Sequence, residues 1–250
     1  MRYALVGAGR MGRAIEVEAA RRGHEKVAEI DLDSTARLAR EGLSLEDLGR
    51  PDVAFEFTVP AAAEANVRAL VHAGVPVVCG TTGWAPSPGL LEALARSGAG
   101  AVISPNFSLG MALFRGLVRE AGRRVAATRL HRPWIFEAHH TGKADAPSGT
   151  ARELARILLE VDPRWNTVQE GNPAGRLADD ALHVVSLRSG AEPGTHTVGF
   201  DGEYDRITLT HSARSRAGFA IGAVIAAEWI RGRTGLHAFD EVVQDALGRD

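Results

Sequence analysis

Residues 3–12 read Tyr3-Ala4-Leu5-Val6-Gly7-Ala8-Gly9-Arg10-Met11-Gly12, and this stretch decides the fold. Its apolar start has the character of a buried strand, its glycines make a tight turn, and a helical pattern follows from Met11 to Arg22. A strand that enters a helix through G-x-G-x-x-G opens a dinucleotide-binding βαβ unit. With no side chains at Gly7, Gly9 and Gly12, a pyrophosphate can approach backbone N–H groups at the helix N-terminus, with Arg10 and Met11 beside it. A second strand, Lys26 to Ile30, runs into Asp31, where a carboxylate is expected to accept hydrogen bonds from the adenine ribose hydroxyls. Leu32 and Asp33 follow, with no arginine. A 2′-phosphate would therefore meet two carboxylates, which favours NADH and leaves NADPH dependent on Arg10, Arg13 or Arg37 folding toward it.

Working outward, strands are expected at Val53 to Phe57, Val75 to Cys79 and Ala101 to Ile103, with helices near Ala61 to Ala73 and Pro88 to Arg96. Gly23 and Gly74 stand where the first two helices should stop. This alternation is the signature of an α/β, Rossmann-type doubly wound parallel sheet. Beyond Asn106 the pattern changes. A helix from Leu109 to Arg123 leads to a strand near Arg129 to Glu137, a loop, another helix, and strands near His183 to Leu187, His196 to Phe200 and Arg206 to His211. Strands without helices between them predict a mixed or antiparallel sheet, hence a smaller α+β domain. Helices at Ala220 to Arg231 and Ala238 to Leu247 are expected to return to the first domain. The division is then 1–106 with 217–250 for the dinucleotide, and 107–216 for the substrate. Pro163 to Asp179, rich in Gly, Pro and Asn, reads as a mobile surface loop.

Composition narrows the function classes. With 29 Lys and Arg against 31 Asp and Glu the formal net charge is −2, so no general basic field draws nucleic acid. The sequence has neither the order of a signal peptide nor an apolar run near the roughly 20 residues that cross a bilayer. Cys79 is the single cysteine and reads as a buried strand end. A cytoplasmic protein is the expectation.

Two further loops lie at the carboxyl ends of strands, the edge where open α/β sheets bind ligands. They are Gly80-Thr81-Thr82-Gly83 and Ser104-Pro105-Asn106-Phe107-Ser108. Their small and hydroxylated residues suit close approach by a nicotinamide carboxamide, and they equally suit turns.

The segment richest in chemistry is Glu137-Ala138-His139-His140-Thr141-Gly142-Lys143-Ala144-Asp145-Ala146-Pro147-Ser148-Gly149-Thr150-Ala151. It joins a strand to a helix whose Leu154, Ile157, Leu158 and Val161 share one face. Thr150 with Glu153 fits a capping box. His139, His140 and Lys143 thus precede a helix start with free N–H groups, an arrangement suited to a small polyanion. Adjacent loop histidines with Asp145 lack the spacing of a zinc motif, so no metal is expected.

This segment matches every fixed position of E-x-H-H-x-x-K-x-D-A-P-S-G-T-A, the signature of the dihydrodipicolinate reductases, which the whole chain resembles. Glu56-Phe57-Thr58-Val59-Pro60, the Gly80 and Ser104 loops, Arg188, Gly190, Gly194, His196, His211, Arg216 and Phe219 support the match. The resemblance implies NAD(P)H-dependent reduction of a dicarboxylate cyclic imine in lysine and diaminopimelate synthesis, by a homotetramer built through the second domain's sheet. It implies His139 as proton donor, Lys143 as a second catalytic residue with a part in substrate binding or protonation whose charge also stabilises the developing anion, and His140, Ser148, Gly149 and Thr150 as holders of a ring carboxylate. On the cofactor side it adds Phe57 and Thr58 to Gly80, Thr81, Thr82, Ser104, Asn106 and Phe107. The chain departs from the common pattern at Thr141 and Gly142, often basic; at the glycine turn, one residue short of G-x-x-G-R-M-G; and at Pro133 and Trp134, where an acidic residue is more familiar. A related dehydrogenase for another imino acid, or a dinucleotide sensor without turnover, would share the cofactor half.

Overall fold

The computed structural model describes residues 1–30, 46 and 48–247. Asp31, Asp33 and Arg37 lie outside the described residues, and so does the reading of Asp31 as the ribose-binding carboxylate. The chain divides into two units, Met1–Leu109 with Arg216–Asp250, and Gly110–Ser215.

The first unit holds β1 (Arg2–Val6), α1 (Arg10–Arg21), β2 (Glu25–Ile30), β3 (Val53–Glu56), α2 (Pro60–His72), β4 (Val77–Cys79), α3 (Pro88–Ser97) and β5 (Gly100–Ile103). From the C-terminal segment come the helix Ala217–Ile230, the strand Gly235–His237 and the helix Phe239–Leu247. The strands pair in parallel, and the C-terminal strand adds to the edge beyond β5. From that edge the order runs β5, β4, β3, β1, β2. The direction of winding reverses between β1 and β3, and the carboxyl ends of strands beside such a switch point are where ligands bind. Strands covered on both faces read as continuous apolar runs. Ala4, Leu5, Val6, Val53, Ala54, Phe55, Val77 and Val78 are accordingly fully buried. Helix boundaries fall within a few residues of the expected ones, and Gly23 and Gly74 adopt the left-handed backbone that follows a helix end. The short strand Gly235–His237 was not expected. It is too brief to carry an alternation pattern.

The second unit holds α4 (Leu109–Thr128), β6 (His131–His139), α5 (Gly149–Val161), β7 (Thr167–Glu170), β8 (Ala181–Arg188), β9 (Thr195–Gly202) and β10 (Arg206–Ser212). The C-terminal elements above are therefore α6 (Ala217–Ile230), β11 (Gly235–His237) and α7 (Phe239–Leu247). The sheet order is β10-β9-β6-β8-β7. β6 pairs antiparallel to β9 and parallel to β8, so the sheet is mixed. Its core joins Ile135, Val184, Val198 and Phe200 on the sheet to Leu154, Ile157 and Leu158 of α5 and Phe114 and Val118 of α4.

Two expectations are corrected. The supposed loop Pro163–Asp179 contains β7, an edge strand paired to β8. Its Thr-Val-Gln-Glu sequence is largely exposed, so burial wrote no apolar alternation into it. The α5 cap is Ser148, not Thr150: Ser148 is extended (φ −66°, ψ 160°) and its hydroxyl accepts from Ala151 N at 3.2 Å. Glu153, which the capping box required, instead pairs with Arg115 at 3.0 Å. The structure also accounts for Trp134. Its indole lies over its β9 partner Gly199, where a Cβ would fall 2.1 Å from the ring. Pro133 sits one residue before pairing with β8 begins, so its missing N–H breaks no bond on that side.

Candidate active site

In the first unit the three glycines of the turn differ in what holds them. Gly7 has φ +94°, and a Cβ there would fall 2.4 Å from the Phe57 carbonyl oxygen. At Gly12 a Cβ would fall 2.2 Å from the Gly7 carbonyl oxygen, so the helix could not start this close to the strand. Nothing lies within 4 Å of a Cβ at Gly9. Packing thus explains the outer glycines and leaves the middle one open to space, as close approach of a pyrophosphate requires. Gly9 is also the N-cap of α1 and offers no side-chain cap, so first-turn N–H groups remain for an anion. Arg10 is exposed and Met11 half-buried. Arg13 is committed elsewhere, to Glu16 at 2.9 Å and Glu29 at 3.0 Å.

The Thr58 segment and the Gly80 loop are joined by a carboxyl group to which the sequence assigned no role. Glu56, at the end of β3, is fully buried. One oxygen accepts from the Thr58 hydroxyl and from Asn66 Nδ2 at 3.0 Å. The other accepts from Thr81 Oγ at 2.6 Å and Cys79 Sγ at 3.1 Å. Thr81 Oγ in turn accepts from Thr58 N at 2.8 Å. The hydroxyls of Thr58 and Thr81 are thereby spent on bracing their loops, while Thr82 is exposed. Gly80 faces the Phe57 ring, and a Cβ there would fall 2.1 Å from it. Ser104 Oγ donates to Asn106 O, Asn106 Oδ1 accepts from Ser108 N, and Phe107 packs on Phe57 and Phe239. Turn chemistry therefore explains these side-chain contacts. Burial and the neighbouring Glu56 push the Cys79 thiol far up, so it is an inert thiol.

In the second unit, β6 ends in Glu137-Ala138-His139. Alternation puts Glu137 and His139 on the face that α5 covers. Cross-strand register then adds His196 from β9, opposite Glu137, and Arg188 from β8, opposite His139. Glu137 is fully buried. Its Oε1 accepts from Ser148 N at 3.0 Å and from Arg188 Nη2 at 3.1 Å. Its Oε2 has no hydrogen-bond partner and lies between His139 Nδ1 at 3.4 Å and His196 Nε2 at 3.6 Å. The two imidazoles meet edge to face, 5.1 Å between centroids. Burial alone would raise the Glu137 pKa, yet His196 and Ser148 facing the carboxylate hold it well below the usual carboxylate range. Burial lowers the His139 pKa to about 4; Glu137 opposes this, while His196, Lys143 and Arg188 add to it. His139 is therefore neutral in the free chain near pH 7.

Lys143 Nζ pairs with Asp145 Oδ1 at 2.7 Å and holds that carboxyl below its ordinary range. Arg188 binds the carbonyls of Lys143 and Asp145 as well as Glu137, tying this loop to the end of the sheet. Ser148 is buried, Gly149 exposed and Thr150 half-buried at the start of α5. His140 is exposed and falls on the opposite parity of the chain from Glu137 and His139. The structure thus brings His139, Lys143 and the α5 start together, and His140 stands apart from the buried group. Glu137, His196 and Arg188 match the family pattern, which by itself assigns them no function. The E-x-H alternation was the available signal for Glu137; nothing local marks His196 or Arg188 as its partners.

Donor atoms of Glu137, His139 and His196 lie within 4.8 Å of one another. A divalent ion there would face Arg188, 3.1 Å from the same carboxylate, with Lys143 close enough to depress His139. That charge balance favours protons over a metal.

Residues 1–107 match the family described as "Dihydrodipicolinate reductase, N-terminus", and residues 110–243 match "Dihydrodipicolinate reductase, C-terminus". The chain belongs to the dihydrodipicolinate reductase family. Among its curated relatives, the 4-hydroxy-tetrahydrodipicolinate reductase of Christiangramia forsetii is 36% identical, the match covering 98% of each chain. The enzyme of the same name from Archaeoglobus fulgidus is 35% identical over 98% of this chain and 100% of its own. A solved dipicolinate-bound dihydrodipicolinate reductase from Paenisporosarcina sp. TG-14 shares the fold, with a TM-score of 0.75 at 21% identity over 95% of this chain and 97% of that one. The chain is thus an oxidoreductase of a family that uses a nicotinamide dinucleotide. Among the described residues no helix is long and apolar enough to cross a membrane.

Proposed function

We propose that this reductase delivers hydride from NADH to the cyclic imine formed by dehydration of 4-hydroxy-tetrahydrodipicolinate, with His139 as proton donor and Lys143 as the cation that grips the substrate. The observation that carries the reading is the grouping of His139, Lys143 and Arg188 beside the N-terminus of α5, a concentration of donors that suits a planar diacid. When bound, the reduced nicotinamide supplies the hydride. Gly7, Gly9 and Gly12 with the first turn of α1 would hold its pyrophosphate, and the backbone of the Gly80 and Ser104 loops is the candidate support for its ring.

The roles of the chain's own groups follow from charge. Hydride addition to a conjugated imine leaves an electron-rich carbon that needs a proton. His139 is neutral in the free chain because it is buried beside Lys143 and Arg188. A bound dianion offsets both cations, and the imidazole then gains a proton at the moment the reaction needs an acid. Lys143, paired with Asp145 in the free chain, exchanges that carboxylate for one of the substrate's, and its charge opposes the negative charge that develops. Gly149 and Thr150 offer N–H groups to the other carboxylate. His140 is assigned a place at the rim, where an exposed imidazole can swing to substrate.

The preference for NADH rests on charge too. Arg13 is held by two glutamates, and residues 31–33 read Asp-Leu-Asp. A homotetramer in the cytoplasm belongs to the same reading. The sheet face of Trp134, Phe136, Val185 and Leu187, opposite the helix-covered side, is the proposed assembly surface, and native mass measurement tests it. The activity is tested by oxidation of NADH and NADPH with freshly generated substrate. Turnover with kcat/KM at least tenfold higher for NADH is expected. Binding of NADH without any oxidation would instead fit a dinucleotide sensor.

A further inference from the structure

The unpartnered oxygen of Glu137 bears on which nitrogen of His139 does the work. A buried carboxylate oxygen without a hydrogen bond is costly unless donors are close to it. Facing Oε2 are His139 Nδ1 and His196 Nε2, at 3.4 and 3.6 Å, and the hydroxyl of Ser186, the β8 neighbour of Glu137, is a further donor to this carboxylate. Oε1 is already occupied by Ser148 N and Arg188. His196 Nε2 is shared with the Ser148 hydroxyl at 3.2 Å, whereas His139 Nδ1 has no other partner; the carboxylate beside it favours an N–H there, which places the lone pair of neutral His139 on Nε2. That edge of the ring borders Gly194, whose φ is +144° and where a Cβ would fall 3.1 Å from Nε2. The charged and titratable groups facing His139 are Glu137 on β6, His196 on β9, Arg188 on β8 and Lys143 in the loop. His211 on β10 stands next in line, opposite His196.

Resting on the reductase reading above, we propose that Glu137 is a positioning residue that holds His139 with its proton on Nδ1, so that Nε2 is the atom that passes the proton, and that Gly194 keeps that edge clear. Glu137 touches neither substrate nor cofactor in this role. It sets the tautomer and raises the proton affinity of the group that does.

The test pairs a variant with a measurement on the unaltered protein. Glu137→Gln keeps the shape and removes the charge. Its kcat is expected to fall at least tenfold near pH 7.5, and the alkaline limb of kcat against pH should move to lower pH, because His139 loses the anion that favours its charged form. Glu137→Asp should bring the limb back toward its wild-type position. A structural role would lower kcat equally at all pH values, and an unmoved limb overturns the proposal. Independently, ¹⁵N NMR of the wild-type imidazoles, with His139 assigned by its absence in His139→Asn, should show Nδ1 protonated and Nε2 bare in the neutral ring. The opposite tautomer overturns the proposal even if Glu137→Gln fails to fold. Absence of wild-type turnover would count against the reductase reading and leave the tautomer result to judge Glu137.

Discussion

Among the described residues each unit buries one carboxyl group at the carboxyl end of a strand, and the two are built in opposite ways. Glu56 receives hydroxyl, amide and thiol donors across its two oxygens and, among the described residues, pairs with no cation. Glu137 has one oxygen saturated by Arg188 and Ser148 and the other left bare between two histidines. A fully satisfied buried network rigidifies what it joins, and Glu56 accordingly fastens the Thr58 and Thr81 loops. An incompletely satisfied one is a store of electrostatic free energy, and proton chemistry draws on such stores. Burial of a charge is therefore not the mark of a working site. The asymmetry of its partners is.

The comparison is broken most directly at His139. His139→Ala should lower kcat by about 10²- to 10⁴-fold while dinucleotide binding, followed by protein fluorescence quenching, stays near wild type. Retention of most of the wild-type kcat would put both carboxyl groups in the structural class. Next in size is the dependence of stability on pH. His139 has its pKa lowered from 6.5 to about 4 on folding, so between those values the unfolded chain binds more protons, and stability falls as pH falls. The loss is on the order of 3 kcal/mol across that window, and Glu137, also depressed, adds its own loss below the ordinary carboxylate range. Urea unfolding at pH 7, 5.5 and 4.5 should show the decline, and His139→Ala should flatten its upper part. The smallest expected effect sharpens the other side. Glu56→Gln should cost about 1–2 kcal/mol, since an amide nitrogen would confront donors that now find an acceptor. It should leave the kcat pH profile in place; a displaced profile would mean that Glu56 communicates with the proton donor.

The first unit was more legible in the sequence than the second for a reason seen in individual residues. A parallel sheet covered on both faces requires uninterrupted runs such as Val53-Ala54-Phe55 and Val77-Val78-Cys79, and its turn requires glycines at fixed positions. β7 leaves no such trace, because an exposed edge strand is free to read Thr-Val-Gln-Glu. The cap of α5 was misplaced by two residues because Ser148 and Thr150 are equal candidates locally. What decides between them is Glu137, which takes Ser148 N from eleven positions up the chain. The same holds for the site. His139 and Lys143 stand in one segment and were found there, whereas Arg188 and His196 reach Glu137 through strand register, a property of the sheet that no local spacing encodes.

Ser148 is a mechanical link between the helix start and the histidines. Its amide hydrogen is held by the buried carboxylate, its hydroxyl closes the first turn of α5 on Ala151, and that same hydroxyl meets His196 at 3.2 Å. A load placed on the exposed amides just after it, such as the tug of an incoming anion, is thus delivered by one lever to the bed of the histidine. Grip and acidity would then rise together, and a ligand too short to pull would find the donor still uncharged.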